Sequence, residues 1–185
     1  MIGWESDNET VGPVAAAAKQ SLLRLIPYIL PEEKADKPVL YRLVLDHGDF
    51  GIHNMSITKD ESKVTSLFDW ETGCIVPAIL SDPEMAVTVD LVADENASPS
   101  ICRLPKDVTS DDRSEFMDWA AQYFDSLYDK APEYRLVIKE GKDARHLWYA
   151  LRAWRGTDPE GYFGDLGIWA EEKLKDLSFK SDNAS

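Results

Sequence analysis

Two short stretches of the sequence decide the expected fold: HGDFGIHN at residues 47–54 and DWE at residues 69–71. Between them lie two β-rich runs, Met55–Thr58 and Val64–Phe68, and the residues that separate these runs, 59–63, are polar. Two β-rich runs joined by a short polar turn are typical of an antiparallel hairpin. The sequence therefore predicts a hairpin that begins and ends at the two stretches.

Three oxygen-bearing side chains are expected to converge at the open end of this hairpin. Asn54 begins the first strand and Asp69 follows the second, so antiparallel pairing brings the two side by side. Asp49 lies on the loop that enters the same end, after a short strand predicted over residues 41–46. The strand before Asp69 has a buried character, and an unpaired buried carboxylate is costly, so we expect a metal ion or a hydrogen-bond network there.

The residue types at this end suit phosphoryl transfer. That chemistry needs a carboxylate near an acceptor hydroxyl and oxygen ligands for Mg²⁺. Asp49 is the candidate catalytic base, and Asn54 and Asp69 are the candidate metal and cofactor ligands. His47 is a second candidate catalytic residue, with packing and hydrogen bonding that fix the loop as its alternative role. Glu71 is a candidate for contacting the metal ligands.

The same residues leave other interpretations open. His47, Asp49, His53 and Asp69 could form the transition-metal site of a hydrolase, although Asn54 and the order of strand, loop and hairpin favour magnesium. His53 is the weaker of the two histidines, because a single loop histidine often has no special role. A loop aspartate or a turn asparagine that bonds only to its own backbone is the ordinary alternative for each position.

The His-Gly-Asp run at residues 47–49 with Asn54, followed by Asp-Trp-Glu at 69–71, resembles the aminoglycoside phosphotransferase and choline kinase-like family, which shares the protein-kinase fold. The resemblance is strongest from Leu43 to about Pro83. It implies an ATP-dependent (or GTP-dependent) phosphotransferase that acts on a small-molecule hydroxyl, cationic acceptors included. It also implies that Asp49 is the catalytic base, and that Asn54 and Asp69, quoted above, bind Mg²⁺.

Only part of that family's architecture is expected here. Residues 1–46 show no glycine-rich phosphate loop and no strand-borne lysine. We therefore expect an α+β fold: the mostly helical C-terminal catalytic lobe over residues 12–178, with a small antiparallel hairpin that carries the site. The N-terminal nucleotide lobe is expected to be absent, and residues 1–11 and 179–185 are expected to be disordered.

A lobe without its partner has three expected consequences. Its activity alone would be low, it would expose an apolar face around the hairpin and first helix, and it would self-associate or bind a chain that supplies the missing lobe. The alternative is a catalytically inactive remnant that acts as a binding or scaffold protein.

Helical periodicity predicts most of the remaining chain. The predicted helices are residues 14–30, a short one over 83–92, one that starts at 110–112, one over 144–154, and one that starts at 158–160. Residues 93–108 are rich in Asp, Asn, Ser and Pro and are predicted to form a loop.

Composition limits the partners and the compartment. Against 20 Lys and Arg the chain has 34 Asp and Glu, a net charge of −14 that argues against nucleic acid. Acidic residues predicted in loops could attract a polycationic acceptor, but a solvated acidic surface is the simpler explanation; they are Asp90, Asp94, Glu95, Asp107, Asp111 and Asp112. No apolar run is long enough to span a bilayer. Cys74 and Cys102 are expected to be free thiols, which favours the cytoplasm.

Overall fold

The computed structural model describes residues 9, 11–30, 38–60, 63–153 and 159–182. Within these ranges the chain is α+β, with four α-helices and small antiparallel sheets. The predicted class is therefore confirmed at this level. The chain divides into two compact units, Met1–Glu32 with His146–Ser185, and Glu33–Arg145.

Helices form the first unit: α1 (Val11–Ile29), the last residues of α3 (Tyr134–Ala153), and α4 (Pro159–Asp182). Their apolar stripes meet in one core, because residues three and four apart share a helix face; its buried members are Leu22, Leu25, Ile29, Leu147, Leu166 and Ala170. A Cβ on Gly167 would lie 3.3 Å from the Cα of Ala18, so α1 and α4 pack closely at these two small residues.

The ends of this unit differ in part from the prediction. Val11 already belongs to α1, within the segment predicted to be disordered, and α4 continues to Asp182, beyond the predicted start of the tail at 179. Pro159 begins α4 as predicted, at a position where a missing N–H costs nothing. Asp158, where the predicted start of this helix began, lies outside the described residues.

Two separate two-stranded sheets begin the second unit. Strand β1 (Leu43–Asp46) pairs with β4 (Cys74–Pro77), and β2 (Met55–Ile57) pairs with β3 (Val64–Leu67), both antiparallel. The predicted hairpin is therefore confirmed. The expectation that its second strand is buried is wrong, because all four residues of β3 are exposed. A hairpin that forms a sheet of its own leaves its apolar side chains at the surface.

A three-stranded sheet follows, in the order β5 (Met85–Ala86), β6 (Asp90–Ala93) and β7 (Pro99–Cys102). The helix predicted over 83–92 is wrong, and the loop predicted over 93–108 contains a strand. The segment forms a strand rather than a helix because its apolar residues alternate with others along the chain. Val89 and Leu91, two residues apart, both pack in one core, and β-branched residues such as valine favour a pleated strand.

Helix α2 (Ser110–Lys130) covers this sheet with Phe116 and Ala120. The helix starts at Ser110, as predicted, and its N-cap is Thr109, whose side chain and that of Asp112 form a reciprocal capping box. The next turns of α2 build a second core, whose buried members are Ala97, Phe124, Tyr128 and Ile138.

The described residues also bear on the two cysteines and on membrane-spanning helices. Cys74 and Cys102 are free thiols, as predicted. None of the described helices combines the length and the apolar character that crossing a membrane would require.

Candidate active site

The candidate loop leaves β1 through a tight turn. Asp46 is buried, and its Oδ1 accepts a hydrogen bond from the N–H of Gly48 at 3.0 Å. Gly48 has φ 78°, in the left-handed region that costs glycine nothing and strains most other residues. The turn brings Asp49 to the surface, where its side chain is about half exposed.

His47 fastens this loop to the end of the hairpin. Its ring is buried, its Nε2 lies 3.0 Å from the carbonyl oxygen of Phe68, and its own carbonyl accepts the hydroxyl of Thr72 at 3.1 Å. The ring also packs on Trp70, with ring centroids 4.4 Å apart. A buried ring whose Nε2 already bonds to the protein fits the anchoring role rather than proton transfer to a substrate.

One ring nitrogen of His47 is left over. Its Nδ1 is buried and has no hydrogen-bond partner in the described part of the chain. A buried polar atom without a partner is unusual and costly. The anchoring contact of Nε2 therefore holds the ring in place at some cost to stability.

Asn54 holds Asp49. The buried amide of Asn54 donates from Nδ2 to the main-chain oxygen of Asp49 at 2.9 Å and to its Oδ2 at 3.3 Å. His53, discounted in the sequence, also reaches Asp49 Oδ2, with Nε2 at 3.3 Å. A short 3-10 helix over Ile52–Asn54 sets this spacing, because it turns both side chains back toward the loop.

The hairpin ladder continues to the candidate site. The N–H of Phe68 donates to the carbonyl of Asn54 at 3.1 Å, one step beyond the Met55–Leu67 pair. The backbone of Asn54 is thus paired with the residue directly before Asp69. The structure brings the chain at Asp49, Asn54 and Asp69 together at one end of the hairpin.

Asp69 has a backbone conformation that proteins seldom use. Its φ is 63° and its ψ is 54°, and its side chain is exposed. The desolvation argument that the sequence suggested for this carboxylate is therefore wrong. Ala97 and Arg103 also have positive φ among the described residues, and aspartate is one of the side chains that adopts the left-handed region most readily, so this backbone alone does not mark a functional residue.

Asn54 and Asp69 carry oxygen atoms, the ligand type that Mg²⁺ takes, and the Asn54 side chain is buried while that of Asp69 is exposed. Asn54 turns its Nδ2 toward Asp49, so the other end of the amide is an oxygen, Oδ1, and Asp69 adds an exposed carboxylate. Mg²⁺ in such sites is commonly held by one or two protein groups together with substrate phosphates and water.

The transition-metal alternative rests on His47, Asp49, His53 and Asp69 as ligands. Across the described residues no group of three or more His, Cys, Asp and Glu side chains is placed to hold a metal ion. His47, one of the ligands considered for a hydrolase, uses its Nε2 for Phe68. Glu71 is exposed on the 3-10 helix Trp70–Thr72, and no contact with the candidate ligands is seen for it among the described residues.

An apolar surface lies on the β1–β4 sheet. Leu45 pairs with Ile75 and Leu43 with Pro77, and Leu43, Leu45 and Ile75 are 64–69% exposed. Because side chains alternate along a strand, these three lie on the same face. The hairpin adds further exposed apolar residues, so the predicted exposure of apolar side chains around it is seen in the described part of the chain; they include Ile57, Val64 and Phe68.

Sequence analysis missed a charge cluster at the three-stranded sheet. Asp90, assigned to an acidic loop, is a buried residue of β6 whose Oδ1 lies 2.5 Å from Arg103 Nη2. Burial, the carboxylates of Asp90 and Asp82, and a hydrogen bond with Asp90 raise the pKa of Glu84 to about 7, against the opposing charge of Arg103. Only the true strand register, which buries Asp90, could have revealed this cluster.

Comparison with known proteins leaves the family of the chain open. No protein-family model and no solved structure match it. A segment of 110 residues is 28% identical to a bifunctional glutamine synthetase adenylyltransferase/adenylyl-removing enzyme of Shewanella loihica. The match covers 58% of this chain and 11% of that enzyme. The chain therefore spans only a small part of the curated relative it matches.

Proposed function

We propose that this chain is a phosphotransferase of the aminoglycoside phosphotransferase-like type, which transfers the γ-phosphoryl group of ATP or GTP to the hydroxyl of a small molecule. In this proposal the described structure is the catalytic lobe of a kinase-like fold. The single observation that carries the proposal is the loop in which buried Asn54 holds both the backbone and the carboxylate of half-exposed Asp49.

Asp49 is the base in this proposal. The acceptor oxygen attacks the γ-phosphorus and forms a new P–O bond, while the bond from that phosphorus to the β–γ bridging oxygen breaks and ADP (or GDP, from GTP) leaves. The hydroxyl proton passes to the Asp49 carboxylate and then to water, which returns Asp49 to its starting state. An exposed carboxylate held from behind by Asn54 can meet an acceptor that arrives from solvent.

Asn54 and Asp69 are the proposed ligands of Mg²⁺, which would neutralise charge on the phosphates when bound. The exposure of the Asp69 side chain supports this role, because a carboxylate at the surface can be reached by an ion from solvent. His47 supports it indirectly, since its bond to the Phe68 carbonyl ties the residue before Asp69 to the loop that carries Asp49.

A small cationic acceptor suits the net charge of −14, which attracts cations over the whole surface. Two free thiols and nucleotide chemistry agree with a cytoplasmic location. The exposed face of Leu43, Leu45 and Ile75 is the proposed contact with a further lobe or a second copy of the chain. The similarity to an adenylyltransferase supports none of these points, because it covers 11% of that enzyme.

The test is transfer of the labelled γ-phosphoryl group from Mg·ATP to a panel of amino sugars, amino alcohols and simple sugars. With an accepted substrate, Asp49→Asn should lower the rate by about a hundredfold or more, the usual contribution of a positioned base. Asp60→Asn is the matched control, since Asp60 is an exposed aspartate in the turn at the other end of the same hairpin. Equal rates in the wild type and Asp49→Asn would contradict the proposal.

A further inference from the structure

His53 makes a specific contact with the proposed base. Its Nε2 lies 3.3 Å from Oδ2 of Asp49, the same oxygen that Asn54 Nδ2 reaches at 3.3 Å. In the described part of the chain both side-chain contacts with this carboxylate go to Oδ2. The second oxygen, Oδ1, is therefore the one left to meet an acceptor hydroxyl.

Gly51 makes room for the ring of His53. A Cβ at Gly51 would lie 2.5 Å from His53 Cε1 and 2.7 Å from His53 Nδ1, closer than side-chain atoms approach one another. It would also lie 2.7 Å from the carbonyl oxygen of Ala86. The backbone of Gly51 is extended, with φ −166°, so glycine is needed here for space.

The surrounding backbone fixes this arrangement. The N–H of Ala86 donates to the carbonyl of Phe50 at 2.8 Å, and the N–H of Asn54 donates to the carbonyl of Gly51 at 3.0 Å. These bonds tie the loop to β5 on one side and close the 3-10 turn on the other. The imidazole of His53 thus starts from a defined backbone, with Asp49 four residues before it.

We propose that His53 is a positioning residue: it donates from Nε2 to Oδ2 of Asp49 and turns Oδ1 toward the acceptor. This inference rests on the proposed function, because it gives His53 its role through Asp49. The lone pair of the Asp49 carboxylate that takes the proton is then aligned before substrate arrives, which saves the cost of ordering it during the reaction.

The contact has little to offer stability. The side chains of His53 and Asp49 are 52% and 53% exposed, and ion pairs at this exposure contribute little to stability because water screens them. A purely structural role would therefore show almost no effect when His53 is removed. Loss of turnover without loss of stability is the signature of positioning.

The experiment measures phosphate release from Mg·ATP, with water as acceptor, together with nucleotide binding by calorimetry on the full chain. His53→Ala should lower kcat by about tenfold while the nucleotide Kd stays within about twofold, because only the orientation of Asp49 changes. His53→Gln should restore most of kcat, since its amide can donate to the same oxygen. His146→Ala is the matched control, because His146 is an exposed histidine of α3.

A second measurement separates this inference from the proposed function. Nitrogen NMR of the three histidines should show His53 as the Nε2-protonated tautomer in the wild type and as a mixture in Asp49→Ala. A wild-type kcat in His53→Ala, beside a slow Asp49→Asn, would overturn the positioning role and leave the function standing. If Asp49→Asn changes nothing, the proposed function fails and the positioning role of His53 is overturned with it, whichever tautomer His53 adopts.

Discussion

The β2–β3 hairpin and the three-stranded sheet β5–β6–β7 are both short and antiparallel, yet they differ in what covers them. Every residue of β3 is exposed, whereas Val89, just before the central strand β6, and Leu91, within it, are 0% and 3% exposed under α2. The candidate base and ligands lie on the segments that enter and leave the hairpin, whereas the three-stranded sheet packs in a core. The chain thus separates the residues that hold the fold from the residues proposed to do chemistry.

The difference predicts where substitutions act. A side chain of the sheet that is removed leaves a cavity, while one of the hairpin leaves only more water at a surface that is already wet. Stability should therefore respond to the sheet, and nucleotide chemistry should respond to the hairpin. The predictions below test each half of this contrast.

The largest expected effect comes from a matched pair of leucines. Leu91→Ala in β6 should lower the free energy of unfolding by about 2–5 kcal/mol, because it opens a cavity under α2. Leu67→Ala in β3, where the side chain is 37% exposed, should cost less than about 1 kcal/mol. Urea unfolding of both variants measures this, and equal losses would remove the contrast between the two regions.

The second effect is a pH dependence that belongs to the sheet. The pKa of Glu84 is raised from 4.5 to about 7, mainly by burial and then by Asp90 and Asp82. A raised pKa in the folded state means that the folded chain holds this proton more tightly than the unfolded chain. Stability from Glu84 is therefore full below about pH 4.5 and is lost as the pH rises through about 7.

Partial exposure of Glu84 reduces the size of this effect to the order of 2 kcal/mol between pH 5 and pH 8. Glu84→Gln should remove most of that part of the pH dependence, as seen by urea unfolding at the two pH values. Glu115→Gln, an exposed glutamate of α2, should leave it unchanged. If Glu84→Gln kept the pH dependence of the wild type, Glu84 would not be the group whose raised pKa causes it.

The smallest effect concerns backbone strain in the hairpin. Asp69→Gly should raise the free energy of unfolding by about 0.5 kcal/mol, because glycine adopts φ 63° without strain. Asp60→Gly, outside the left-handed region, should have no such benefit and should cost a few tenths of a kcal/mol through chain entropy. Thermal unfolding of the pair checks the sign, and a destabilised Asp69→Gly would mean that the side chain itself supports the fold.

The sequence was sufficient for the elements with a clear period or turn. The hairpin follows from two β-rich runs around a polar turn, and α1 and α2 follow from apolar residues three and four apart. The sequence was not sufficient where contacts between different elements determine the structure. Helix α3 begins at Tyr134 rather than near Ala144, and its Gly141 is required by close contact with Ile79 and Arg145, which no local pattern shows.

The site shows the same limit. Spacing predicted that Asp49, Asn54 and Asp69 meet at one end of the hairpin, because antiparallel pairing fixes that geometry. It did not predict that Asp69 is exposed. The apolar residues before Asp69 are typical of a buried strand, and only the structure shows that β3 is exposed. It also discounted His53, because its contact with Asp49 depends on a 3-10 turn and on the space left by Gly51.

The central claim is that Asn54 and Asp69 form a magnesium–nucleotide site, and calorimetry with ATP in the presence and absence of Mg²⁺ tests it most directly. Asp69→Asn is the best variant, because asparagine tolerates the left-handed backbone and removes only the charge. The account predicts Mg²⁺-dependent binding that Asp69→Asn loses and Asp60→Asn keeps, with unfolding free energies unchanged in both. A well-folded wild type that binds no nucleotide, or binds it equally in Asp69→Asn, would contradict the claim.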